Sequence, residues 1–411
     1  MKINIASNEI VHFIGIGGIG MSGLAQIMNN MGFTIQGSDL NRNKNTDRLV
    51  KKGIKVFFGH HKKNINKTTM VVISSAVKKN NVELILAKYK KLPIFKRGEM
   101  LANIVALKKN IVVTGSHGKT TTTSLVANIL VEAGLDPTVI NGGVINSLKN
   151  NAQLGKGEWA VIESDESDGS FLKLPITYSI VTNLDKEHLD FYGSFEKLKK
   201  SFSNFIEKTP SFGKSLICVD DNNLRSLVAK CKTRNFLTYG FKKSANYQIV
   251  NVRKKKDCSI FDLRLKFSSN KPYKINNIVL NLIGDHNITN ATASIAVALN
   301  LGIKIKKIKK ALKKFLGIQR RFTKIFTSDK REFYDDYAHH PTEIKAVING
   351  ARQVYKERKI ISVFQPHRYS RVKLLKNEFA SSFKSSDTVV LCPVYSAGEK
   401  IKYNFNQDNF S

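Results

Sequence analysis

The sequence predicts an α/β protein built as three successive domains, and three observations carry that prediction. A short β-branched strand, a glycine-rich turn and an apolar helical stretch follow one another over residues 10–28. The same order recurs over residues 111–130. Beyond both, short strands at 332–334, 360–364 and 388–391 are separated by helical stretches. Strands that alternate with helices imply parallel sheets clothed by helices. The 411 residues also exceed one ordinary domain of about 100–200 residues.

Composition narrows the class. Apolar residues make up 42% and charged residues 24%, as in globular proteins. No apolar run approaches the roughly 20 residues that span a bilayer. Residues 1–6 lead almost directly into a strand, so no signal peptide is expected and the expected location is the cytoplasm. Cys218, Cys231, Cys258 and Cys392 are widely spaced and form no CxxC pair, which predicts isolated, reduced thiols. The formal charge of +35 raises nucleic acid as a partner. The lysines, however, are spread along the whole chain, as in Lys51-Lys52, Lys254-Lys255-Lys256 and Lys306-Lys307, without interleaved aromatics. Solvated helix faces explain them, and their field favours anionic substrates.

Residues 1–108 read as a Rossmann-like domain. Gly15-x-Gly17-Gly18-x-Gly20 lies between a strand (10–14) and a helix, and Asp39 ends the next strand (34–39). Further strands are expected at 55–58 and 70–74. The glycines match a dinucleotide fingerprint and alone favour a nicotinamide oxidoreductase. The same loop suits any diphosphate, because it offers backbone N–H groups and a helix N-terminus.

Residues 109–317 form the second predicted domain. Thr114-Gly115-Ser116-His117-Gly118-Lys119-Thr120-Thr121 follows a buried strand and opens a helix. That is a nucleoside-triphosphate loop, although shorter than GxxxxGK[ST]. Its N–H groups cradle phosphate, Lys119 neutralises charge, and the Thr120 hydroxyl suits Mg2+. Strands are expected at 159–163 and 178–183, helices at 195–206 and 288–301, and a β-rich insert at 245–282. Glu163, Asp165, Glu166 and Asp168 crowd one strand end, a repulsive arrangement that cations relieve. His188 lies just beyond the next strand. Asn287 and Asn290 open an apolar helix, where short polar side chains suit caps or ligands.

Residues 318–411 carry Arg320-Arg321, then Asp335-Asp336 and His339-His340-Pro341 between a strand and a helix. Pro366-His367-Arg368-Tyr369-Ser370-Arg371 follows a second strand, a ligand position in an open α/β sheet. Paired arginines can clamp a carboxylate.

The motifs TGSHGKTTTT, ESDESDGSF, TNLDKEHLDFYG, GDHNITNATASIAVA, GIQRRF, DDYAHHPTEI and FQPHRYSR occur in that order, with GIGGIGMSGLA before them. The chain thereby resembles the Mur ligases, ATP-dependent amide-forming enzymes of peptidoglycan assembly, over nearly its whole length. The resemblance implies a ligase that joins L-alanine to the lactyl carboxylate of UDP-N-acetylmuramate through an acyl phosphate, releasing ADP and phosphate. It implies that Gly15, Gly17, Gly18, Gly20 and Asp39 hold the UDP-sugar. Gly115, Ser116, His117, Gly118, Lys119, Thr120, Thr121, Asn287, Asn290, Arg321 and Asp336 would bind ATP. Thr120, Glu163 and His188 would hold Mg2+, with Lys119, Glu163 and His188 catalytic. His340, His367 and Arg368 would form the amino-acid end.

Ligases that add a later residue or a peptide share the phosphate loop and are less similar at DDYAHHPTEI and FQPHRYSR. In the family the third domain continues past the stretch seen here as Ser396–Glu399, so this one is expected to be incomplete, and an inactive homologue is the alternative. Two other classes stay open at this stage. An oxidoreductase leaves Lys119 idle, and a nucleic-acid-dependent NTPase leaves DDYAHHPTEI unexplained.

Overall fold

The computed structural model describes residues 9–232, 235–267, 273–396 and 399. The expectations for residues 1–6 and for the polar stretch 402–411 lie outside these.

In the first region β1 (Ile10–Ile14), β2 (Thr34–Asp39), β3 (Lys55–Phe58), β4 (Met70–Ile73) and β5 (Ile94–Lys96) form one parallel sheet in the order β3-β2-β1-β4-β5. Strand β1 is central and covered on both faces, so it reads as a near-continuous apolar run rather than an alternation. Val11, Phe13 and Ile14 have no exposed surface. The chain reverses direction across the sheet between β1 and β4, which is where such sheets take ligands. Helices α1 (Ile19–Asn30), α2 (Lys44–Lys51), α3 (Val82–Tyr89) and α4 (Arg97–Val105) belong to this region.

The central region holds β6 (Lys109–Thr114), β7 (Thr138–Ile145), β8 (Asn150–Gln153), β9 (Trp159–Glu163), β10 (Tyr178–Val181), β11 (Ser215–Cys218), β12 (Phe236–Gly240), β13 (Tyr247–Lys254), β14 (Ser259–Leu265) and β15 (Tyr273–Leu280). They form one sheet in the order β15-β14-β13-β12-β11-β10-β6-β9-β7-β8. Neighbours from β7 through β13 run parallel, and β8, β14 and β15 are antiparallel additions at the two edges. Strands β13, β14 and β15 are the β-rich insert expected from sequence at 245–282. Helix α5 (Lys119–Ala133) packs against the helix Asp285–Asn300 over this sheet.

Helix α1 joins the two regions. Every residue from Met21 to Met28 is buried, because one side rests on its own sheet and the other on the β7–β8 hairpin. A Cβ on Gly23 would stand 2.8 Å from Asn151 Nδ2 and 3.0 Å from Ala152 Cβ. Asn151 donates to the Ile19 carbonyl at 2.9 Å, and Arg48 donates to the Asn150 and Asn151 amide oxygens at 3.2 and 2.8 Å.

The third region is built from separate strand pairs. Among the described residues it has an antiparallel pair, β16 (Thr323–Ser328) with β17 (Arg331–Asp335), and a separate parallel pair, β18 (Ile361–Phe364) with β19 (Thr388–Leu391). Ile344, Ile348, Phe364, Val372 and Phe379 make its small core. Ile361 and Val363 stay 60% and 69% exposed, whereas Ile111, Val112 and Val113 of β6 have no exposed surface.

Candidate active site at the phosphate loop

Strand β6 delivers Thr114 to a turn that only glycine can make. Gly115 has φ +129° and Gly118 has φ +81°, values at which a side chain is strained. A Cβ on Gly115 would come within 2.2 Å of Thr182 Oγ1, and one on Gly118 within 2.7 Å of Asn290 Oδ1. The end of β10 holds the turn in place. The His117 N–H donates to Asn183 Oδ1 at 2.7 Å, the Thr182 hydroxyl donates to the His117 carbonyl at 2.6 Å, and the Asp185 N–H donates to Ser116 Oγ at 2.8 Å.

Lys119 opens α5 and turns back over the loop. Its ammonium donates to the Gly115 carbonyl at 2.6 Å and to both Glu166 oxygens at 2.9 and 2.8 Å. Burial works against its charge, but Glu166 and Asp165 outweigh burial and raise its pKa. The crowded carboxylates therefore find their cations within the protein. Burial would raise Asp165 too, yet Lys119 and the Ser167 hydrogen bonds hold it below the usual range. His188 stands 3.6 Å from Glu166, at φ +56°. Burial opposes its protonation, and Glu166 overcomes that and raises it.

The structure divides the expected metal ligands. Thr120 Oγ1 donates to Glu163 at 3.1 Å and the Gly142 N–H donates to Glu163 at 2.6 Å, whereas His188 groups with Asp165 and Glu166, their ligand atoms within 4.8 Å of one another. Burial keeps Glu163 above the normal carboxylate range despite Lys119 nearby. Hydroxyl and carboxylate oxygens beside a phosphate loop are the donor set that Mg2+ takes.

His117 links the loop to the third region. Its Nε2 lies 2.8 Å from Asp185 and its Nδ1 3.4 Å from Glu343, on the helix Pro341–Val354. Burial opposes charge on this ring, but the two carboxylates raise its pKa to about 10. Thr342 adds a 2.9 Å hydrogen bond to Asp185, and Arg321 lies 3.8 Å from Glu343. The His340 ring is 4.6 Å from that of His117. His117, Asp185 and His340 are close enough to resemble a metal site, but the proton positions argue otherwise. Both His117 nitrogens face carboxylates, and His340 Nδ1 accepts the Thr342 N–H as the helix cap. The hydrogen of His340 is then on Nε2, so neither ring offers a lone pair. Burial and the His117 charge lower His340 to about 4, which keeps it neutral at pH 7.

Beside the loop is a cleft of about 520 Å3 lined by Gly118, Thr121, Asn287, Asn290, Arg321 and Asp336, with Phe322 and Tyr334. Residues far apart in sequence thus meet on one wall. The capping account of the asparagines fails. The helix begins at Asp285 with Gly284 as its cap, so Asn287 and Asn290 lie inside its first turns. Asp336 uses both oxygens on backbone N–H groups, of Phe322 and Ala338, each at 2.7 Å. The His367 ring lies tilted beside that of His339, their centroids 5.6 Å apart, while Arg371 and His340 each approach Glu187 at 3.9 Å. Arg368 instead starts the short helix Tyr369–Leu374 at φ +70°.

The first glycine loop is organised differently. Gly15 has φ +82°, and the Gly15 and Ile16 N–H groups donate to the Ser38 carbonyl at 2.8 and 3.0 Å. Asp39 Oδ2 accepts from the Gly17 N–H at 2.8 Å, so in this structure it holds the loop where the fingerprint suggested a ribose ligand. Next to Gly18, Gly20 faces Arg97, whose side chain comes within 3.3 Å of where a Cβ would stand. The Arg97 charge also reaches Asp165. Sequence reasoning missed Arg97, Asp185 and Glu343. Asp185 was visible two residues after Asn183, and Glu343 was hidden as an ordinary acid in a helix first turn.

Comparison with known proteins agrees with this three-part layout. Family models match in succession: the Mur ligase family catalytic domain over residues 10–109, the Mur ligase middle domain over 113–298 and the Mur ligase glutamate ligase domain over 320–407. A UDP-N-acetylmuramate–L-alanine ligase of Pelagibacter ubique is 59% identical over 411 residues, covering 100% of this chain and 89% of the relative. One of Agrobacterium fabrum is 49% identical over 391 residues, covering 95% and 83%. The crystal structure of UDP-N-acetylmuramate-alanine ligase MurC from Thermotoga maritima superposes with a TM-score of 0.81 at 30% identity, covering 94% of this chain and 86% of that one. A murein peptide ligase from Psychrobacter arcticus shares the fold, with a TM-score of 0.75 at 24% identity, covering 93% and 84%.

Proposed function

The chain belongs to the Mur ligase family, and from that premise we propose how its residues divide the work of an ATP-dependent ligase that joins L-alanine to UDP-N-acetylmuramate in peptidoglycan precursor synthesis. The observation that carries the reading is the seat of the third region on the phosphate loop: Glu343 and Thr342 reach His117 and Asp185. An amine delivered by that region arrives where the phosphoryl group is transferred.

In this reading the Gly15–Gly20 loop binds the UDP diphosphate. Gly115 to Thr121 bind the ATP phosphates, and Asn287, Asn290, Arg321 and Asp336 line the place of its nucleoside. A lactyl carboxylate oxygen attacks the γ-phosphorus, the bond to the β-phosphate oxygen breaks, and ADP leaves. Lys119 spreads the charge that develops, exchanging Glu166 for phosphate oxygens. The L-alanine amine then attacks the acyl carbon, the carbon–oxygen bond to phosphate breaks, and the amine gives up its proton. Thr120 with Glu163, and separately His188, would hold Mg2+, which would supply neutralisation of phosphate charge. His340, His367 and Arg368 belong to the amino-acid end. Residues 1–108, 109–317 and 318–411 are the corresponding domains.

A nicotinamide oxidoreductase gives no role to this arrangement around Lys119. Among the described residues no helix is long and apolar enough to cross a membrane. Phosphate release measured with ATP, UDP-N-acetylmuramate and L-alanine tests the reading. Turnover is expected only with all three, and release that ignores either acceptor overturns it.

A further inference from the structure

The first region contains a buried charge that the reaction above does not use. Glu83, near the start of α3, has no exposed surface. Its Oε2 accepts from the Ser38 hydroxyl at 2.6 Å and lies 3.1 Å from His60 Nδ1 and 3.4 Å from His12 Nε2. Its Oε1 accepts from Asn64 Nδ2 at 2.6 Å and from the His61 N–H at 3.2 Å. Gln36 donates to His12 Nδ1 at 3.3 Å, which puts the His12 hydrogen on Nε2, facing Glu83. Burial would push this carboxyl up, but His12, Ser38 and Asn64 hold it at about 2. It is therefore an anion in the interior, satisfied by donors from β1, β2 and the chain after β3.

Burying a carboxylate is costly, and an apolar core of equal volume is often as stable. What this anion supplies is position. Ser38, whose hydroxyl it takes, is the residue whose carbonyl receives the Gly15 and Ile16 N–H groups. The next residue, Asp39, holds Gly17. The preceding one, Gly37, has no room for a side chain, since a Cβ there would lie 2.6 Å from Ile16 Cδ1 and 2.6 Å from the Phe13 carbonyl. Gly37-Ser38-Asp39 is thus the seat of the first glycine loop, and Ser38 is its tie to the interior.

We propose that Glu83 is a positioning residue for UDP-sugar binding, acting through Ser38 to fix the backbone of the Gly15–Gly20 loop that receives the diphosphate. The inference rests on the reading of that loop given above. Its test is titration calorimetry with UDP-N-acetylmuramate and, separately, Mg-ATP, on wild type, Ser38→Ala and Glu83→Gln, with melting temperatures measured alongside. Ser38→Ala cuts the tie while leaving the other donors on Glu83, so it keeps the test alive if the Glu83 variant fails to fold. Loss of a charge-assisted hydrogen bond predicts that the dissociation constant for the UDP-sugar rises about tenfold, with that for Mg-ATP unchanged. A hub that serves stability alone would lower the melting temperature and the binding stoichiometry without changing either dissociation constant, and that result overturns the proposal. So does an unchanged UDP-sugar constant in folded Ser38→Ala. Wild-type protein that binds Mg-ATP but not the UDP-sugar would instead overturn the reading of the loop, and the inference with it.

Discussion

The loop at Gly15–Gly20 and the loop at Gly115–Lys119 leave the carboxyl ends of central parallel strands in the same way, each with glycines at positive φ and each feeding a long helix. Their surroundings differ. Behind the first is a sealed network with Glu83 at its centre, and Asp39 accepts from the Gly17 N–H of the loop backbone. Around the second are Lys119, Glu163, Asp165, Glu166 and His188, together with groups from the third region. A loop held from behind by a fixed network, with Arg97 beside Gly20, suits holding a diphosphate in one place. A loop ringed by exchangeable ion pairs can also stabilise a changing charge. In the proposed division of work the first binds and the second reacts, although their sequences announce the same strand–turn–helix.

The largest test of that contrast is Lys119→Ala, which should lower ADP formation about a thousandfold while leaving UDP-N-acetylmuramate binding as it was. An equal loss of both would mean that the loops are not separate. Gly115→Ala should cost about 1–3 kcal/mol in backbone strain alone, read by urea unfolding, and its clash with Thr182 should also lower turnover.

Acid and alkali should then tell the two regions apart. Glu83 is held at about 2, below the 4.5 of a free glutamate, so its stabilisation is full above pH 4.5 and is lost as pH falls through 2. His117 is raised from 6.5 to about 10, so its contribution is full below pH 6.5 and is lost as pH rises through 10. Melting curves should show Glu83→Gln flattening the acid limb alone, whereas His117→Gln flattens the alkaline limb as well, since the His117 charge also holds Asp185 and Glu343 down. Gly17→Ala meets Asn43 and Asp39 side chains without entering the left-handed region, and about a tenfold weaker UDP-sugar affinity, near 1.4 kcal/mol, is expected. The smallest effect belongs to Asp39→Asn. It keeps an acceptor for Gly17, and a change in UDP-sugar affinity under about threefold is expected, since only the charge assistance is lost.

The chain order of motifs made the candidate site legible before the structure, because all of them but GIQRRF, which precedes β16, follow the carboxyl end of a strand. The partners of those motifs were less visible. His188 was paired by sequence with Glu163, and the fold gives it Glu166, because β9 ends before the chain turns the later acids toward Lys119. The asparagines read as caps or ligands since the apolar run begins at Ala291, and Gly284 lets the helix start earlier, which leaves the ligand reading. Strand β7 was hidden by Asn141-Gly142, a pair that signals a hairpin turn, and β16 by its six residues of mostly exposed surface. Glu83 carries no sequence signal at all. It resembles any acid placed in a first helical turn, and only the register of β1 against β2 brings His12 and Ser38 to it.

Helix α1 has one more consequence. From Met21 to Met28 it has no wet side, so pulling the first region away from the central sheet would uncover the face around Gly23 and Gln26 and strand the Asn150 and Asn151 amides. No stable half-molecule is left by such a separation. Heating should therefore melt these two regions in a single cooperative transition, and a calorimetric trace should show the lightly packed third region as the part free to melt on its own.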